Sequence, residues 1–120
     1  MDYERFARLQ ARFADEKLLT KEGVYRLRLS GKAQFELAFI KTGPCGESVY
    51  QPLIKGTFAE KEAIPTYLLD LAAQPMTQIS QRTSENEAVL DKALVALMEK
   101  CEQAVAVNEA AQEAAQEAAR

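Results

Sequence analysis

Histidine is absent from this 120-residue chain, and so is tryptophan. Without an imidazole there is no Ser-His-Asp triad, no Cys-His pair, no histidine zinc ligand and none of the usual general base at neutral pH. Cysteine is scarce as well, at two residues. Cys45 lies in the turn-forming stretch Gly43-Pro44-Cys45-Gly46, Cys101 on the apolar side of a helical pattern, and neither has a base, a basic neighbour or further ligands close in sequence. Cys45-Gly46-Glu47-Ser48 lacks the second glycine of a nucleophile elbow, and no glycine-rich phosphate loop occurs anywhere. No apolar run approaches the roughly 20 residues of a membrane span. The opening Met1-Asp2-Tyr3-Glu4-Arg5 lacks the basic-then-apolar order of a signal peptide. These absences point to a cytoplasmic protein that needs no cofactor or metal, has no membrane partner and is not an enzyme.

What is present is the composition of one soluble domain: 48% hydrophobic, 28% charged, with only 5 Gly and 4 Pro. A chain of this length buries roughly two-thirds of its unfolded surface, enough for a core without disulfides. The net charge of −3 hides an asymmetry. Residues 1–55 hold 10 basic against 7 acidic side chains, residues 56–120 hold 5 against 11. An acidic chain is poorly matched to phosphate backbones, so nucleic acid is a disfavoured partner, although a local patch can survive such an average. Arg5, Arg8 and Arg12 on the first helix, with Arg26 and Arg28 on a strand, read as solvated faces.

Residues 3–17 have helical spacing, with Tyr3, Phe6, Leu9 and Phe13 as an apolar stripe. Residues 24–30 and 34–40 alternate strictly, which predicts two half-buried strands joined by a hairpin at Ser30-Gly31-Lys32. A three-residue loop, 31–33, fixes the register. It sets Leu29 against Phe35, Leu27 against Leu37 and Tyr25 against Phe39 on the core face, with Arg28 opposite Glu36 on the wet face. A third strand is expected over Val49–Lys55, and Pro52 makes it an edge or places a bulge in it. Pro65 suits a helix start and Gln74-Pro75 a stop, and Ile64, Tyr67, Leu68 and Leu71 between them have helical spacing. Residues 76–83 read equally as a loop or a short strand.

Ser84 with Glu87 forms a capping box, opening a long helix from about Glu85. Along it Leu90, Leu94, Leu97, Cys101, Ala104, Asn108, Ala111, Ala115 and Ala118 recur at spacings of four and three, a coiled-coil-like seam whose lower half is alanine. The expected organisation is a single domain over 1–105 and an Ala/Glu/Gln-rich helical tail over 106–120. The expected fold class is α+β: a two-layer arrangement, a three-stranded antiparallel sheet with helices on one face and a long C-terminal helix.

Two families share this layout. In the double-stranded RNA-binding domain a lysine cluster opens the second helix, where this chain has Ala59-Glu60-Lys61-Glu62-Ala63, acid in place of base. The layout also resembles the small acidic type III secretion chaperones that bind effectors. The resemblance rests on the amphipathic first helix, the Gly23-Val24-Tyr25-Arg26-Leu27-Arg28-Leu29 and Phe35-Glu36-Leu37-Ala38-Phe39 strands, the Leu68-Leu69-Asp70-Leu71 helix and the acidic last helix. It implies a homodimer, no catalysis, and grooves that hold an extended segment of a client. The leading expectation is thus a non-enzymatic chaperone or adaptor that binds a protein client at Val49, Tyr50, Leu53 and Ile54 on an open strand edge, with Leu94, Cys101 and Asn108 on the helical seam. The alternatives are a small acidic inhibitor, from a phage or mobile element, of a host nucleic-acid enzyme, and a double-stranded RNA-binding-like module.

Overall fold

The computed structural model describes residues 1–31, 33–73 and 75–118, the last eight of them by their backbone alone. Among the described residues the order is α1 (Tyr3–Gln10), β1 (Lys17–Leu19), β2 (Val24–Ser30), β3 (Gln34–Thr42), β4 (Ser48–Ala59), β5 (Glu62–Asp70), β6 (Thr77–Ile79) and α2 (Glu87–Ala118). The architecture is α+β, with an antiparallel sheet and a long C-terminal helix, but the described sheet has six strands rather than three. They form a meander, each strand bonded to its neighbours along the chain.

The β2–β3 register is the one that alternation dictates: Leu29 opposite Phe35, Leu27 opposite Leu37, Tyr25 opposite Phe39 and Arg28 opposite Glu36. Lys32, within the loop, lies outside the described residues. The third expected strand is longer than Val49–Lys55, and from Leu53 onward it is not an edge, because β4 pairs there with β3 on one side and β5 on the other. Pro52 is accommodated by a register shift between Ala38 and Ile40 on the facing strand. A bulge absorbs the missing donor inside the sheet.

The expected helix after Pro65 is instead β5. Its core-facing side chains, Ala63, Pro65 and Leu68, step by two and then by three, because the β4–β5 register shifts between Lys55 and Gly56. The same β4–β5 bulge puts Ile64 and Tyr67, opposite Thr57 and Lys55 on the other face, three residues apart instead of two, and with Leu68 beside them the spacing reads as helical. The Leu68–Leu71 segment that the chaperone resemblance treats as a helix is therefore strand and the bend after it. The ambiguous segment contributes β6, paired with β5.

The first helix stops well short of residue 17. Asp15 and Glu16, with φ of 54° and 65°, make a tight turn closed by reciprocal Ala14–Lys17 backbone bonds, which lays β1 against β2. Glu60 and Lys61, at 52° and 67°, make the same left-handed turn between β4 and β5. Neither pair contains the glycine or asparagine that such hairpin turns favour.

The helix start is also displaced. Thr83 and Asn86 cap reciprocally, Thr83 N donating to Asn86 Oδ1 at 2.7 Å and Asn86 N to Thr83 Oγ1 at 3.3 Å, one position before the Ser84/Glu87 box. From there α2 runs without a break past residue 106, where the tail was expected to begin.

Both helices lie on one face of the sheet. Phe6 and Leu9 of α1 and Leu90, Leu94, Leu97, Met98 and Cys101 of α2 are buried against Tyr25, Leu27, Phe35, Leu37, Phe39, Ile54 and Leu68. Burying each large side chain is worth about 1.5–3 kcal/mol. Phe6, Phe35 and Phe58 form a mutual aromatic cluster with ring centroids 4.8–5.2 Å apart. The core contacts of α2 end near Val105, while the helix continues to Ala118. At 1.5 Å per residue the helix runs on for roughly 20 Å beyond its last core contacts, consistent with molecular extents of 56 × 39 × 21 Å.

Candidate functional site

Where α2 leaves the core, its underside and the β1–β2 turn enclose an open groove of about 820 Å³. The helix contributes Lys100, Gln103, Ala104, Val107 and Asn108, positions that recur on one face of a 3.6-residue period. The opposite wall is the Leu19–Glu22 segment, with Tyr25 behind it.

The turn wall is braced locally. Thr20 Oγ1 donates to the Gly23 carbonyl at 2.8 Å and accepts from Gly23 N at 3.2 Å, while Thr20 N donates to the same carbonyl at 2.9 Å. A Cβ on Gly23 would lie 2.6 Å from the Ile40 carbonyl, so the close approach of this turn to β3 requires glycine. The floor is aromatic. Tyr25 stacks on Phe39 with centroids 4.7 Å apart, and Lys100 Nζ lies 4.0 Å from the Phe39 ring centroid, a cation–π contact that holds the ammonium at the groove's edge.

Burial pushes the Tyr25 hydroxyl up to about 12, with smaller contributions from Cys101 and Glu22, and pushes the Cys101 thiol up to about 12, with Glu102 adding to it. Both groups stay protonated at neutral pH. The Cys101 sulfur is therefore packing material in this setting.

Leu19 and Val107 are both among the residues that line this groove, 71% and 70% exposed. Large aliphatic side chains left this open in one concavity are the combination that an apolar partner segment would cover. Sequence reasoning missed both, together with Lys100. Val107 is the one large apolar residue after Val105 in an alanine-rich stretch, and Leu19 is the outward half of the Leu18-Leu19 pair; those were the available signals.

The seven residues expected to bind a partner are not brought together. Ile54, Leu94 and Cys101 lie in the helix-side core, at most 2% exposed, so their apolar surface is used within the chain. Leu53 is buried on the opposite face of the sheet, between Ala38 and Leu69 on the flanking strands. Val49 and Tyr50 are half-buried on β4 and pair with β3; β5 pairs only from Leu53 onward, and before it one bond, Leu71 N to the Tyr50 carbonyl at 3.0 Å, lies on that side. Asn108 alone lines the groove. The seam positions Ala111, Ala115 and Ala118 lie outside the residues whose side chains are described.

The basic residues of the N-terminal half are not uniformly solvated. Arg5 and Arg12 pair with Glu102 and Glu109 of α2, and Arg26 with Glu36, whereas Arg8 and Arg28 are exposed. Two acids of the last helix are thus neutralised from within, which weakens that helix as a bare acidic surface for a basic groove. No described helix is long and apolar enough to cross a membrane. Compared with family models, with curated proteins and with solved structures, the chain matches none of them.

Proposed function

We propose that this protein is a non-enzymatic protein-binding module of the chaperone or adaptor kind, acting in the cytoplasm and holding an apolar segment of a client in the groove between the β1–β2 turn and the underside of α2. The observation that carries the reading is the pair Leu19 and Val107, two exposed aliphatic residues that line one open groove. Removing both from water is worth on the order of 3 kcal/mol before the entropy of association is subtracted. The rim is mixed in charge, with Lys21 and Lys100 against Glu22, so it would orient a segment more than attract it from a distance. The homodimer that the secretion-chaperone resemblance implies belongs to the same reading.

The test is affinity purification of the tagged protein from its native cells beside a Leu19→Asp/Val107→Asp variant, with mass spectrometry of the eluate and light scattering of the complex. Both positions are solvent-facing, so the variant should melt within about 1 kcal/mol of the parent. A client retained by the parent and lost by the variant supports the groove, and light scattering reads the dimer directly. An eluate identical for both proteins removes the groove from the account.

A further inference from the structure

The sheet has a second face, which neither helix covers, and charge is segregated onto it. Strands β1 to β4 contain a single carboxylate, Glu36, while Lys17, Arg26, Arg28 and Lys55 project from the same face as Glu36. Over β1 to β4 that face carries a charge of +3, in a chain whose total is −3. The acidic average of the sequence therefore says little about this surface, because association responds to the local field.

The arrangement across the strands is specific. Arg28, Glu36, Lys55 and Tyr67 stand directly opposite one another in one row over β2, β3, β4 and β5. The Glu36 carboxylate is held by Arg26 from the neighbouring row. Arg28 and Lys55, both exposed, are left on either side of a neutralised acid, and neither has a carboxylate within ion-pair distance among the described residues.

A shallow concavity of about 470 Å³ opens between them, edged by the hydroxyls of Ser30, Thr57 and Thr66. Two aromatic rings flank the cations: the Arg26 guanidinium carbon lies 5.8 Å from the Tyr50 ring centroid and Lys55 Nζ 5.4 Å from that of Tyr67.

We propose that this uncovered face binds single-stranded nucleic acid, with a phosphate seated between Arg28 and Lys55 and bases stacked beside Tyr67 and Tyr50. Cations interleaved with aromatic side chains on an open sheet are the two elements such binding needs, one for the backbone and one for the bases. An extended acidic peptide fits less well. The strands under the concavity are bonded on both sides, so a peptide finds no free main-chain groups there, whereas phosphates and bases need only side chains. A duplex presents its bases already stacked and offers nothing to the tyrosines.

The experiment is fluorescence anisotropy of the full chain with a labelled oligothymidylate of about 15 nucleotides, within the range that such folds cover. Binding should appear at about 50 mM salt and weaken toward about 200 mM, with a log–log slope near −2 for about three phosphate contacts. Arg28→Ala/Lys55→Ala should weaken binding at least about 10-fold and flatten the slope by about 1. Tyr67→Ala should weaken it about 10-fold and Tyr67→Phe should restore it, since the ring and not the hydroxyl stacks. Arg8→Ala, on the helix side, should change nothing, and circular dichroism melts confirm that each variant is folded.

No anisotropy change at about 100 µM protein, the weak end of non-specific binding, overturns the proposal. So does binding undiminished in the folded double variant, or competition by polyglutamate as effective as by unlabelled oligonucleotide. The Leu19→Asp/Val107→Asp variant should bind the oligonucleotide unchanged, which keeps this surface separable from the groove.

Discussion

Arg5 holds Glu102 through two parallel hydrogen bonds, Nε to Oε2 at 3.0 Å and Nη2 to Oε1 at 2.5 Å, joining residues 97 positions apart. Arg12 repeats the contact with Glu109 seven residues further along both segments, so the N-terminal segment and the overhanging part of α2 run side by side in the same direction. The Arg5 guanidinium is held above its ordinary range, first by the hydrogen bond to Glu102 and then by the charges of Glu102 and Glu99, against an opposing effect of burial. The pair is about a third exposed, which limits its strength. A double-mutant cycle with Arg5→Ala and Glu102→Ala should give a coupling of about 0.5–1 kcal/mol in urea unfolding. At about 1 M salt most of it should vanish, and a coupling that survives would mean the contact acts through packing.

Alkaline pH should loosen the fold through two buried groups. Cys101 and Tyr25 are pushed up to about 12 from 9.0 and 10.0, so the folded protein keeps protons that the unfolded chain releases. Their contribution is complete below about pH 9 and drains away as pH rises toward about 12. The denaturation midpoint should fall across that window, and Cys101→Ala/Tyr25→Phe should flatten the decline. An equal slope in the variant would place the effect elsewhere.

Thiol chemistry gives a simpler readout of the same burial. Cys45 is exposed and Cys101 fully buried. A thiol-specific chromogenic reagent at mildly alkaline pH should titrate one sulfhydryl in the native protein and two in denaturant. Two fast-reacting thiols in the native state would contradict the core described above.

The left-handed pair Glu60-Lys61 is a place to gain stability. Replacing it by Glu60→Asn/Lys61→Gly supplies the residues this hairpin turn prefers and relieves two side chains at positive φ. The expected gain is about 0.5–1 kcal/mol, read as a rise in melting temperature. A loss would show that the parent side chains make compensating contacts.

Gly56 is a place where one methyl group is too many. Its Cβ would stand 2.3 Å from the Ile64 carbonyl and 2.6 Å from Phe35, whose ring is wedged between Phe6 and Phe58. Gly56→Ala should therefore cost about 1–3 kcal/mol, and Phe35→Leu in the same chain should recover part of it. Wild-type stability in the single variant would mean that the β4–β5 bulge can shift.

The parts of this fold that were legible in the sequence are those where one physical rule acted alone. In β2 and β3 strict alternation with a short loop dictated both the strands and their partners. Where two rules met, the reading failed. Ile64 and Tyr67 share a face three residues apart because of a bulge, and with Leu68 and Leu71 they imitate a helix with a proline at its start. The turns Asp15-Glu16 and Glu60-Lys61 carry no glycine, proline or asparagine, so neither left a local mark, and β1 and β5, which follow them, went unseen. The large residues of the seam, Leu90, Leu94, Leu97 and Cys101, do pack on the sheet as their size suggested, but Leu94 and Cys101 could not also be offered to a partner, because periodicity says that a face is covered but not by what. The groove was harder still, since Leu19 and Val107, which both line it, are 88 residues apart and only the overhang of α2 brings them to one site.

Strand order along the sheet equals strand order along the chain, and this has a consequence for synthesis on the ribosome. Each hairpin can zip onto the one made before it without waiting for distant sequence, a low-contact-order route. The long helix is made only after the whole sheet. Until it docks, the greasy side carrying Tyr25, Leu37 and Ile54 is shielded by little more than the two turns of α1. A nascent chain paused before residue 87 would thus be a complete sheet with one bare flank, and the interval before α2 emerges is the period of greatest aggregation risk in the life of this protein.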